Sequence, residues 1–92
     1  MINAIVLMKI HNDRINDVAQ TLLDLKGVTE VYSVAGQYDL VAILRVSDED
    51  GVAALVTDEM LKIEGMISSE TLIAFRAYSN YDLGRMFSIG MD

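Results

Sequence analysis

Hydrophobic positions along the chain switch between two periods, and each switch marks an element. From Ile2 to Ile10 (INAIVLMKI) the period is two, with Ile2, Ala4, Val6, Met8 and Ile10 on one side and Ile5 and Leu7 on the other. A strand apolar on both faces belongs in the middle of its sheet. His11-Asn12-Asp13 ends it, and the polar side chains there supply a helix N-cap. From Arg14 to Lys26 the spacing becomes three and four (Ile15, Val18, Ala19, Leu22, Leu25), the stripe of an amphipathic helix. Lys26-Gly27 stops it, a cation at the negative helix end followed by a residue able to turn left-handed.

Val28 to Val46 then reads as two strands rich in β-branched and aromatic residues, with Gly36-Gln37 as a two-residue turn between them. Ser47-Asp48-Glu49-Asp50 opens a second helix, Ser47 and Asp50 having the spacing of a capping box. Its stripe is Val52, Leu55, Val56, Met60 and Ile63, and Gly65 closes it before a last strand over Met66–Ala77. The shift that places Gly27 on Gly65 also aligns Ala4-Ile5 with Ala42-Ile43, Val18 with Val56 and Leu25 with Ile63. A strand-helix-strand unit used twice predicts an α+β domain: a ferredoxin-like βαββαβ fold, an antiparallel sheet with two helices on one face. Its other face keeps apolar residues that a second copy would cover, giving a dimeric α/β sandwich.

Composition sharpens that expectation. The chain has 92 residues, enough for one domain, of which 52% are hydrophobic and none is cysteine. So many apolar residues on so small a domain point to burial against partner chains. Net charge is −7, and the seven basic residues are scattered singly, which argues against direct nucleic-acid binding. The four tyrosines form no RNA-binding platform of the RRM kind, since the RNP-type pattern is missing. No apolar run approaches the ~18–20 residues of a membrane span, and no leader pattern precedes the first strand, so a cytoplasmic protein is expected. Residues 1–77 are expected to form the domain and 78–92 a C-terminal extension. Tyr81, Leu83, Met86, Phe87, Ile89 and Met91 in that extension either fray or pack on the domain or a neighbour.

Few residues suggest chemistry. His11 is the single histidine and stands beside Asp13 at a strand end, without a nucleophile in a supporting motif; no catalytic residue is assigned. Asp48-Glu49-Asp50 lacks the alternating ligands and central glycine of a calcium loop and reads as helix N-terminal charge; no metal or cofactor is expected. Asp39 carries two readings. It is a solvated turn residue held by side-chain bonds, or a fixed anion at the rim of a subunit interface, able to accept hydrogen bonds from a ligand ammonium. In the second reading Gly36 lets ligand atoms approach the backbone, and Ser69 and Thr71 offer hydroxyls near the last strand.

Gly36-Gln37-Tyr38-Asp39 between two apolar strands resembles the G-x-Y-D hairpin of the effector-binding, or RAM, domain of Lrp/AsnC regulators. Gly65-Met66-Ile67-Ser68-Ser69-Glu70-Thr71-Leu72 is similar to that family's final strand and its approach. The resemblance implies dimers built through the sheets, larger rings that are often octamers, and amino-acid effectors in clefts between dimers. By motif position it implies ligand-binding roles for Gly36, Tyr38 and Asp39, and extends them to Ser69 and Thr71. DNA-binding members carry an N-terminal helix-turn-helix, whereas here Met1 leads straight into a strand. The implied role is a stand-alone amino-acid sensor, not an enzyme, able to co-assemble with full-length Lrp/AsnC regulators. The competing readings are a monooxygenase-like enzyme of the dimeric α+β barrel type and a purely structural assembly domain.

Overall fold

The computed structural model describes residues 1–78 and 80. Strand β1 spans Ile2–Ile10, helix α1 Ile15–Asp24, β2 Val28–Ser33, β3 Leu40–Val46, α2 Glu49–Ala54 and β4 Met66–Ile73. The sheet is antiparallel throughout, in the order β2-β3-β1-β4, so β1 lies centrally as its two apolar faces require. This is the ferredoxin-like α+β fold expected from the repeated unit. Ala4, Val6, Met8 and Ile10 of β1 and Leu40, Ala42 and Leu44 of β3 are at most 1% exposed and face the helices, where Val18, Leu22, Val52, Leu55 and Met60 meet them. Ile5 and Leu7, left on the other face, are half-buried.

Several local expectations change. Asn12–Arg14 is a 3-10 turn, and α1 begins at Ile15 with no side-chain cap; the Arg14 N–H instead donates to the His11 carbonyl at 2.9 Å. The cap of α2 is Asp48 rather than Ser47. Its Oδ1 accepts from the Gly51 N–H at 2.8 Å, so Asp48 meets an otherwise orphan donor of the first turn. Beyond α2 the chain loosens into a π-helical turn over Leu55–Glu59 and a 3-10 turn over Met60–Lys62. The Met60 N–H is shared between the Leu55 and Val56 carbonyls, an i→i−5 bond beside the ordinary i→i−4 one. Leu55 and Met60, at the two ends of this segment, are both in the core. Strand β4 ends at Ile73 rather than Ala77, with one further bond from the Ala74 N–H to the Asn3 carbonyl at 2.9 Å. The expectations for Phe87 and Ile89, and for nearly all of the extension, lie outside the described residues.

The two repeat glycines are matched in structure. Gly27 has φ +102° and Gly65 φ +105°, a region that favours glycine. Each also abuts the helical segment of the other repeat. A Cβ on Gly27 would lie 3.0 Å from Leu55 Cδ2, and one on Gly65 only 2.8 Å from Arg14 Cβ. Gly65→Ala is therefore expected to lose about 1–3 kcal/mol through backbone strain and crowding, read as a lowered urea midpoint with unchanged slope. An unchanged midpoint would show that the loop relaxes freely.

Candidate functional site

The chain between β2 and β3 occupies residues 34–39, not a two-residue turn. The reason lies in Asp39, whose backbone serves both neighbouring strands. Its carbonyl accepts from the Val34 N–H at 3.0 Å, while its own N–H donates to the Met8 carbonyl of β1 at 2.8 Å. Its side chain then does what β3 cannot. Leu40, opposite Met8, is the first residue of β3, and β1 runs on to Ile10. Asp39 Oδ2 takes the Ile10 N–H at 2.8 Å, filling the place of a ladder carbonyl. Asp39 is half-buried, with one oxygen committed to the fold. A carboxylate has about four acceptor positions, so Oδ1 can still receive a donor.

Tyr38 points its hydroxyl the length of the tip toward the sheet edge. The phenol donates to Glu70 Oε2 at 2.7 Å, and this bond, with some desolvation and the nearby charge, raises its pKa above the ordinary phenol value. Glu70 sits opposite Leu7, so it stands on the sheet face away from the helices. Gly36 has φ +134° with open space around the position a Cβ would occupy; conformation, not room, selects glycine there.

Gly36, Tyr38 and Asp39 are thus brought together in one loop, and Tyr38 ties that loop to β4. Ser69 and Thr71 are placed differently. They stand opposite Met8 and Val6 and so share the helix-covered face, half-buried, on the other side of β4 from Glu70. Glu70 was not among the residues singled out by sequence. Period-two alternation was the available signal, since it separates Glu70 from its hydroxyl-bearing neighbours.

Beside the tip lies the open sheet face. Leu72, Ile5 and Ile43 form one row across the strands, and Leu7, Val41 and Tyr32 the next, with Glu70 and Glu30 at the ends of these rows. Lys9 and Arg45 stand beyond them on the same face. Tyr32 is 49% and Leu72 44% exposed. An apolar centre framed by charge is the anatomy of a protein interface. Among the described residues no helix is long and apolar enough to cross a membrane.

Comparison with known proteins gives a coherent family. The Lrp/AsnC ligand binding domain matches residues 3–83. An uncharacterised HTH-type transcriptional regulator of Pyrococcus horikoshii is 32% identical over 59 residues, covering 64% of this chain and 39% of that protein. The chain therefore spans about two fifths of the length of that regulator. The crystal structure of TTHA0845 from Thermus thermophilus is 43% identical with a TM-score of 0.81, over 86% of this chain and 99% of that one. A feast or famine regulatory protein from M. tuberculosis, complexed with L-methionine, shares the fold at 20% identity and a TM-score of 0.74, over 89% and 56% of the two chains. With a match that runs over most of its length, the chain belongs to the Lrp/AsnC ligand binding domain family.

Proposed function

We propose that the chain is a non-enzymatic regulatory domain that binds a free amino acid at the Gly36–Asp39 tip, in a cleft completed by another subunit. The observation that carries this reading is the half-committed carboxylate of Asp39. The Ile10 N–H holds one oxygen at 2.8 Å, leaving Oδ1 as an oriented acceptor for an ammonium group. Such a group loses little freedom on binding, because the fold has already fixed it. Loop backbone beside Gly36, open to approach, supplies N–H donors for the ligand carboxylate. The methionine complex of the M. tuberculosis relative supports an amino acid as the ligand class. Ser69 and Thr71 join the site only where a neighbouring subunit brings ligand to the helix side of β4.

Assembly is part of the same proposal. Two copies meet through their open sheet faces, and such dimers associate further into a ring, an octamer by resemblance to the family. Full-length Lrp/AsnC regulators, which share this domain's fold, are the proposed mixed partners and the route to transcription. A thermal-shift survey of the free amino acids, methionine included, tests the ligand class. At about 100 times its dissociation constant, a ligand of the native state adds roughly 2.7 kcal/mol. In a domain of this size that raises the melting temperature by roughly 10–20 °C. No shift with any amino acid at millimolar concentration would leave an assembly domain without this ligand.

A further inference from the structure

The Gly36–Asp39 tip is pinned at its base through one residue. Among the described residues, Ala35, Gly36 and Gln37 make no hydrogen bond. The Asp39 carbonyl takes the Val34 N–H, while the Asp39 N–H and Oδ2 both meet β1, at Met8 and Ile10. A surface connection held at a single residue keeps freedom to turn about it.

Tyr38 supplies a second pin in a different place. Its phenol leaves the tip and donates to Glu70 Oε2 at 2.7 Å. Because β1 lies between β3 and β4, this bond crosses a whole strand. Glu70 pairs with Leu7, three positions before Ile10 on β1. At about 3.4 Å per residue, its level on the sheet is therefore roughly 10 Å from the bond between Asp39 and Ile10. Two pins so far apart remove the turning that one would allow. Among the described residues, this is the single hydrogen bond between the tip and β4. Its acceptor is an ionised carboxylate, which favours a short and strong bond. Tyr32 and Glu30 form a useful contrast. They make the same kind of bond at the same 2.7 Å, but within one strand, so it ties β2 only to itself.

We infer that Glu70 is a positioning residue for the tip: its hold on the Tyr38 hydroxyl fixes the connection between β2 and β3 against the sheet, and with it the direction in which Asp39 Oδ1 faces. Glu70 acts through Tyr38 and needs no contact with a ligand. The consequence for binding rests on the amino-acid reading above, whereas the hold itself does not.

Amide hydrogen exchange on the full chain without ligand tests the hold directly. Tyr38→Phe and Glu70→Ala should each speed exchange of the Ile10 and Asp39 amides by roughly 2- to 10-fold, the scale of one lost hydrogen bond. The double variant should be no faster than either single one, because both remove the same interaction. Glu70→Gln keeps a carbonyl acceptor for the phenol and should restore most of the protection. Tyr32→Phe should leave both amides unchanged. The Arg45 N–H, bonded to the Gly27 carbonyl at the far end of the sheet, should keep its rate in every variant and so report that the fold is intact. Calorimetry with the amino acid that gives the largest thermal shift should show affinity falling in Glu70→Ala and returning in Glu70→Gln. The inference is overturned by unchanged exchange of Ile10 and Asp39 in Glu70→Ala, by additive effects in the double variant, by Glu70→Gln behaving as Glu70→Ala, or by an affinity that Glu70→Ala leaves untouched. A wild type that binds no amino acid would sink the ligand reading alone, and the exchange rates would still decide the hold of Glu70 on the tip.

Discussion

Asp39→Asn is expected to weaken amino-acid binding by roughly 10- to 150-fold while the domain stays folded. A hydrogen bond to a charged group is worth about 1.5–3 kcal/mol, and 1.4 kcal/mol is about tenfold in affinity. Asparagine keeps a side-chain oxygen for the Ile10 N–H, now held by Asp39 at 2.8 Å, but removes the charge that would attract an ammonium group. Alanine is the less informative change. It would leave the Ile10 N–H without its acceptor, at a cost of about 1–3 kcal/mol, and so mix instability with lost binding. Paired urea titrations separate the two effects: the alanine variant should show the lower midpoint and the asparagine variant one near wild type. Calorimetry with the amino acid that gives the largest thermal shift then reads the affinity. Equal affinity for wild type and Asp39→Asn would remove Asp39 from the site and leave it a purely structural residue of the tip.

That double duty explains what the sequence revealed and what it hid. The fold was legible because each rule bearing on it agreed: apolar periods of two and near four, glycines where helices stop, and a repeat that aligns Gly27 with Gly65. Gly-x-Tyr-Asp was legible as a tip, but its shape was not. A two-residue turn follows from local residues alone, whereas the actual connection over residues 34–39 depends on Asp39 reaching Met8 and Ile10 of a distant strand. Such bonds leave no mark in local spacing. The π-helical turn over Leu55–Glu59 was hidden as well, since the apolar stripe of an ordinary α-helix accounts for the same buried residues. Ser69 and Thr71 were chosen by chemistry, without a face; the register with Met8 and Val6 supplies the face and sets Glu70 beside Tyr38 instead.

Ile43→Lys should convert the assembly to a folded monomer. Ile43 lies at the centre of the open face, paired directly with Ile5 and next to Val41, Leu7 and Leu72 in the surrounding rows. Face-to-face packing through this patch would bury it in both copies, and a two-fold interface repeats every substitution. An uncompensated buried charge costs about 3–5 kcal/mol, so two cost on the order of 6–10 kcal/mol, at least about 10⁴-fold in the dimer dissociation constant. The monomer itself should tolerate the change, because Ile43 is half-exposed within one chain and its side chain points away from the helices. Leu61→Lys is the matched control: Leu61 is 47% exposed in the 3-10 turn beyond α2, on the covered side of the sheet. Sedimentation at micromolar concentration should then show an assembly for wild type and Leu61→Lys and a monomer for Ile43→Lys. A folded wild-type monomer, or an Ile43→Lys protein that still assembles, would mean that the open face is not the contact. Because the tip reaches Glu70 on this same face, dissociation should also weaken the amino-acid site if that site spans subunits. Binding retained in the Ile43→Lys monomer would instead place the whole site within one chain.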